Sequence, residues 1–137
     1  MSQHVSSATV RVRYAETDQM GYAYYANYLA WFEVGRCEWL RALGWSYRDM
    51  ETHDGVMLPV IVAHCEYRHA SRYDDELEIR ARGELLSPVR VKFSYEVVRR
   101  IDGVITAVGH TVHASTDLKG RPKRLPARVR TFFGQWP

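Results

Sequence analysis

The spacing of hydrophobic and polar residues changes period along the chain, and the changes mark its elements. From Ala8 to Tyr14 the pattern alternates, with Val10, Val12 and Tyr14 on one side and Arg11 and Arg13 on the other. That is the period of a half-buried strand. From about Tyr24 to Leu43 the period lengthens: Tyr25, Tyr28, Leu29, Phe32, Arg36 or Cys37, Leu40 and Leu43 fall at three- and four-residue steps, which is one face of a helix. Glu33, Arg36, Glu38 and Arg41 form its solvated complement. Trp31 and Trp39 widen the apolar band, which predicts a helix covered on more than one side, as when a curved sheet wraps it. Leu43-Gly44 ends it in the usual way. At ~1.5 Å per residue, about 20 residues span ~30 Å, enough for the axis of the fold.

Beyond the helix, Ser46 to Thr52 reads as a short helix or turn and His53-Asp54-Gly55 as a loop. Four strand candidates follow without another helical period: Val56 to Arg68, Leu77 to Leu86, Val89 to Arg100 and Val104 to Thr116. Pro59 demotes the start of the first to an edge or a bulge. Turns punctuate them at Ser71 to Asp75, Ser87-Pro88, Asp102-Gly103 and Gly120-Arg121-Pro122, and Asp102-Gly103 between two alternating runs is a strong hairpin signal. Strand, long helix, then four meandering strands predicts an α+β fold, an antiparallel sheet with one helix on its concave face. Residues 1 to 7 read as a loose polar tail, and no internal repeat appears.

Length and composition narrow the picture. The 137 residues suit one domain, 1–137, able to bury a core without disulfides or metal. The net charge of +3 is too small and too evenly spread to point to nucleic acid. Cys37 and Cys65 fit no zinc or redox spacing and read as reduced core residues. No stretch approaches the roughly 18 apolar residues of a membrane span, and the first residues lack the pattern of a secretory signal. The reading is a cytoplasmic protein.

Candidate chemistry concentrates in Tyr14 to Tyr28. Glu16 and Asp18, with a turn at Gly21, stand directly ahead of the predicted helix start, where backbone N–H groups lack intrahelical partners and the dipole is positive. A carboxylate there can act as base or nucleophile toward a carbonyl, while open amides receive the oxygen as it turns negative. Local chemistry alone favours a plainer role, with Thr17 and Asp18 capping the helix.

The run Thr17-Asp18-Gln19-Met20-Gly21, followed by Tyr25, Asn27 and Tyr28, joins two further signatures, Arg72-Tyr73-Asp74-Asp75 and Gly120-Arg121-Pro122. With these, from about Thr9 to Pro126, the chain resembles the 4-hydroxybenzoyl-CoA thioesterase family, including its Tol–Pal-associated acyl-CoA thioesterase branch. The resemblance implies a hot-dog fold, a five-stranded antiparallel sheet wrapped around one long central helix. It implies hydrolysis of a short-chain or aromatic acyl-CoA to a free acid and CoA, with no cofactor and no metal. It makes Asp18 the catalytic carboxylate, as nucleophile or base, and the Tyr25 backbone N–H the oxyanion donor. Gly21 then supplies the backbone turn that brings the carbonyl to both. It also implies a homo-oligomer, dimer or tetramer, with the active site between subunits.

Two departures stand out. Many Tol–Pal thioesterases carry histidine where this chain has Tyr25, so no histidine-assisted mechanism carries over. The basic cluster that the hydroxybenzoyl branch places before its fourth strand is replaced by Leu85-Leu86-Ser87-Pro88-Val89-Arg90-Val91-Lys92. CoA phosphates would then be met by Arg90, Lys92 or the loop of Lys119, Arg121, Lys123 and Arg124, charges that otherwise belong to a solvated face.

Tyr22, Tyr24, Tyr25 and Tyr28 either line an acyl pocket or serve as core and interface aromatics. Glu16 is read as an orienting residue. His110 and His113, like His64 and His69, are an odd number of positions apart on strands and cannot jointly hold one metal. Ser46, Ser71 and Ser94 lack a nucleophile elbow, and the nine glycines form no phosphate-cradling loop. The rivals are a hot-dog hydratase or dehydratase, which would need a histidine in or near the central helix, and a non-catalytic acyl-thioester binding module.

Overall fold

The computed structural model describes residues 4–133. Strand β1 (Val5–Arg11) leads through a short 3-10 turn (Tyr14–Glu16) to helix α1 (Asn27–Ala42). A one-turn helix α2 (Tyr47–Asp49) continues as a π turn (Met50–Asp54). Strands β2 (Val60–Tyr67), β3 (Glu76–Ser87), β4 (Arg90–Arg99) and β5 (Val104–Ala114) follow, and α3 (Ala127–Arg130) closes the described chain. The five strands form one antiparallel sheet in the order β1-β3-β4-β5-β2, the hot-dog arrangement the resemblance implies.

Alternation along β3 and β4 puts Leu77, Ile79, Ala81, Val91, Phe93 and Val97 in the core, under α1. Phe32 on α1 stacks on Tyr95 with centroids 4.3 Å apart, and Trp39 meets Phe93 edge-on at 5.4 Å. The helix lies close over β3 because position 35 is glycine; a Cβ there would stand 2.8 Å from Ile79 Cγ2. The widened tryptophan band is explained by this packing, since Trp31 and Trp39 are both buried.

Several boundaries differ from the sequence reading. Residues 5–7 are not a tail: Val5 to Ser7 pair with Arg82 to Arg80 as the start of β1, and only residues 1–3 of the expected tail lie outside the described residues. The His4 carbonyl anchors this strand by accepting the Trp39 indole N–H at 2.9 Å. Small and polar residues there suit an edge strand with little to bury, so the local pattern did not announce it. Helix α1 begins at Asn27 rather than Tyr24, because residues before it are held in cross-chain bridges, Thr17 to Ala23 and Tyr22 to Arg72. Strand β2 begins at Val60, past Pro59, with an irregular register at Val60 to Val62.

Strand β2 is an edge. Among the described residues it pairs only with β5, and Val60, Ile61 and Val62 are 45–46% exposed. No helix among the described residues is long and apolar enough to cross a membrane.

Candidate active site

The loop from Arg13 to Ala26 is held by its own polar groups. Glu16 accepts the Arg13 backbone N–H at 2.8 Å and approaches the Arg13 guanidinium at 3.4 Å, which fixes the loop entrance. The Glu16 carbonyl takes the Tyr24 N–H at 2.7 Å and the Asn27 side-chain amide at 2.8 Å, fixing the exit. Between them Asp18 Oδ1 accepts the N–H groups of Met20 at 2.9 Å and Tyr22 at 3.2 Å, a self-contained Asx-type turn. Gly21, with φ +81°, supplies the left-handed residue that this turn requires. Asp18 therefore shapes its own loop and caps no helix; α1 starts well downstream and has no side-chain cap. All hydrogen bonds to the carboxylate fall on Oδ1, and Oδ2 has no partner among the described residues.

At the start of α1, Asn27 N–H bonds Tyr24 O at 3.0 Å and Tyr28 N–H bonds Tyr25 O at 3.3 Å. The N–H groups of Tyr25 and Ala26 have no partner among the described residues. They are the open amides of a helix start, facing outward along the positive end of its dipole.

Asp18, Tyr25 and Tyr28 line one cavity of about 310 Å³, together with Tyr67, His69 and Met20. It opens where the end of β2 passes the start of α1. Tyr67 is edge-on to Tyr28 at 5.0 Å and to Tyr25 at 6.2 Å. Burial raises the pKa of both Tyr28 and Tyr67, so their phenols are neutral donors at ordinary pH. Asp18, with its uncommitted oxygen, and Tyr25, with its open amide, thus line the same cavity.

Two larger hollows lack that combination. One of about 580 Å³ lies on the sheet face away from α1, among Arg80, Arg82, Glu96, His64 and His110. Another of about 420 Å³ lies between Arg36, Cys37 and Tyr47 and the Met57 to Pro59 approach to β2. The smallest of the three is the candidate site because only it contains the carboxylate and the helix start.

Other expected site residues fall outside it. Tyr24 is exposed, with its ring 4.8 Å from that of Tyr25, and does not line the cavity. Arg90 and Lys92 sit on the outer face of β4, at the end paired with Ala114 and Val112, whereas the Asp18 loop adjoins the opposite end through Ser71. Arg121 lies in the loop after β5, 3.6 Å from Asp117. Within one chain, none of these three cations reaches the carboxylate's cavity. Tyr67 was missed by sequence reasoning, because nothing in a strand pattern says which phenol turns toward the helix. So was the pairing of His64 with His110, whose rings stack at 5.1 Å across neighbouring strands; it becomes visible only once the register is known.

A family model described as the thioesterase-like superfamily matches residues 12–136. Over 133 residues, 97% of this chain and 93% of the relative, the sequence is 33% identical to the Bacillus subtilis (strain 168) protein named "Putative acyl-CoA thioesterase YneP". It is 29% identical over 126 residues, 92% of this chain and 93% of the relative, to the acyl-CoA thioester hydrolase YbgC of Escherichia coli O6:H1. The solved DHNA-CoA thioesterase from Staphylococcus aureus superposes with a TM-score of 0.82 at 33% identity, covering 88% of this chain and 80% of that one. Sheet order, a helix laid in the sheet and a match over nearly the whole length agree: the chain belongs to the thioesterase-like superfamily.

Proposed function

We propose that this chain hydrolyses acyl-CoA thioesters to a free acid and CoA, with Asp18 as the catalytic carboxylate. One observation carries the reading: an aspartate with one uncommitted oxygen shares a cavity wall with Tyr25, whose backbone N–H is open just before α1. The names borne by the relatives point the same way. Asp18 Oδ2 either adds to the thioester carbon or takes a proton from the water that does. In the first route the C–S bond breaks, CoA leaves as the thiol once protonated, and water cleaves the resulting mixed anhydride. In both, the Tyr25 N–H receives the carbonyl oxygen as charge builds on it, and Gly21 holds the turn that presents the acid. Tyr28 forms part of the acyl-group wall, and Tyr24 flanks its mouth. Helix α1 carries no histidine, which leaves the hydratase alternative without its expected base.

The same reading makes the protein a single thioesterase domain that works as a homodimer, or as a tetramer of two dimers, in the cytoplasm. The exposed apolar edge of β2 supports assembly, since a free strand edge is a template for pairing with another chain. Antiparallel pairing of two β2 edges would carry the Arg90 and Lys92 end of one copy toward the Asp18 end of the other. That supplies a route by which these cations, and Arg121, could meet CoA phosphates. The two cysteines are free, in keeping with a reducing compartment.

Thiol release from a panel of short-chain and aromatic acyl-CoAs tests the reading. Asp18→Asn should lower kcat/KM by about a hundredfold or more, the scale for removing an acid–base group. Full activity in that variant, or ligand-induced thermal stabilisation of the wild type without any thiol release, would overturn it.

A further inference from the structure

Tyr67 is the last residue of edge strand β2, yet its hydroxyl donates to the Tyr25 carbonyl at 2.9 Å, across the mouth of the cavity. That carbonyl also accepts the Tyr28 N–H, at the longer distance of 3.3 Å, so the phenol is the closer of its two partners. The carbonyl belongs to the peptide between Tyr25 and Ala26, and in a trans peptide the C=O and N–H point in opposite directions. A donor on the carbonyl therefore fixes the plane of that peptide and limits rotation about the backbone of Tyr25, whose own N–H is the adjacent open amide. No side-chain cap holds the helix start. The ring is braced in turn, edge-on to Tyr25 and to Tyr28.

We propose that Tyr67 is a positioning residue for the oxyanion site, holding the backbone of Tyr25 so that its N–H faces the substrate carbonyl. The proposal rests on the thioesterase reading. It also ties catalysis to assembly, because the strand that carries Tyr67 is the one whose outer edge is free to pair with a second copy. Ordering of that edge is passed through a single phenol to the Tyr25 amide that holds the developing charge.

The test is Tyr67→Phe, which keeps the ring contacts and removes only the hydroxyl. Thiol release is measured with wild type and variant on the best substrate of the panel. The expected result is a kcat about tenfold lower with KM within about twofold, because the lost contact matters when charge develops on the carbonyl oxygen rather than when substrate binds. The shape of the pH profile should not change. Hydrogen exchange of the bonded Asn27 and Tyr28 amides should quicken severalfold, a readout independent of turnover. A kcat within twofold of wild type, a loss confined to KM, or unchanged exchange would overturn the proposal while leaving the thioesterase reading intact. Absence of thiol release by the wild type on every substrate would overturn both.

Discussion

His113 offers a prediction whose size follows from its surroundings. Its ring is fully buried; Nδ1–H donates to the Leu58 carbonyl at 2.8 Å, and Nε2 accepts the Thr111 hydroxyl at 2.8 Å. Thr111 in turn accepts the Tyr95 hydroxyl at 2.6 Å. This chain of donors suits neutral imidazole with its proton on Nδ1, and a second proton on Nε2 would confront a hydroxyl already donating to it. Burial, with a smaller contribution from nearby Arg36, pushes the pKa down to about 4. In the unfolded chain the ring titrates near 6.5, so below that pH the unfolded state takes a proton that the folded state refuses. Stability is therefore whole above about pH 6.5 and falls as pH drops toward about 4, where the folded ring protonates too. At about 1.36 kcal/mol per pH unit, the complete loss is about 3 kcal/mol, of which about 2 kcal/mol is gone by pH 5. Urea unfolding of wild type and His113→Asn at fixed protein concentration, from pH 7 to pH 4, measures the difference in slope. Wild type should lose stability more steeply than the variant throughout that window. Parallel curves would refute the assignment of a neutral, donor-locked ring.

Two further outcomes test packing and assembly. A Cβ at Gly109 would stand 2.3 Å from the His64 carbonyl and 2.7 Å from the Phe32 ring, so Gly109→Ala should cost about 3 kcal/mol, read as a lowered urea midpoint. Val62→Lys places a charge on the exposed edge of β2 and should shift the protein toward monomer in sedimentation, with activity falling in parallel; an unchanged assembly would remove β2 from the interface.

Strands β3 and β4 were legible because each buries one face, and alternation such as Val91, Phe93, Tyr95 and Val97 records that burial directly. The Asp102-Gly103 turn was equally plain, and Gly103 takes the left-handed conformation that the hairpin needs. The start of α1 was misplaced because Tyr25 happens to continue the helical period of Tyr28 and Phe32. What holds the preceding residues outside the helix is a local bridge, Thr17 to Ala23, together with contacts of Tyr22 and Ala23 to Arg72 and Ser71 that no local window contains. Asp18, Gly21, Tyr25 and Tyr28 could be singled out because they share the local run that carries the family resemblance, although local chemistry alone read Asp18 as a cap. Tyr67 could not, since its partner lies on another element and only the fold brings the two together. Helix α3 also escaped notice, being a single turn whose neighbour Phe133 packs against Trp39 at 5.0 Å.

The sheet order also bears on how the molecule assembles in time. β3, β4 and β5 are consecutive neighbours joined by tight turns, so Arg99 finds Val104 across a short hairpin. β1 must close a far longer loop before Val5 meets Arg82, and β2 joins β5 from the far side of the β3–β4 hairpin. Loop-closure entropy puts the three-strand meander first and the two flanking strands last. The Asp18 loop hangs from β1 and Tyr67, which braces the helix start, hangs from β2, so both halves of the proposed reaction centre ride on the latecomers. Partial opening should accordingly abolish turnover while the central meander is still protected from solvent exchange.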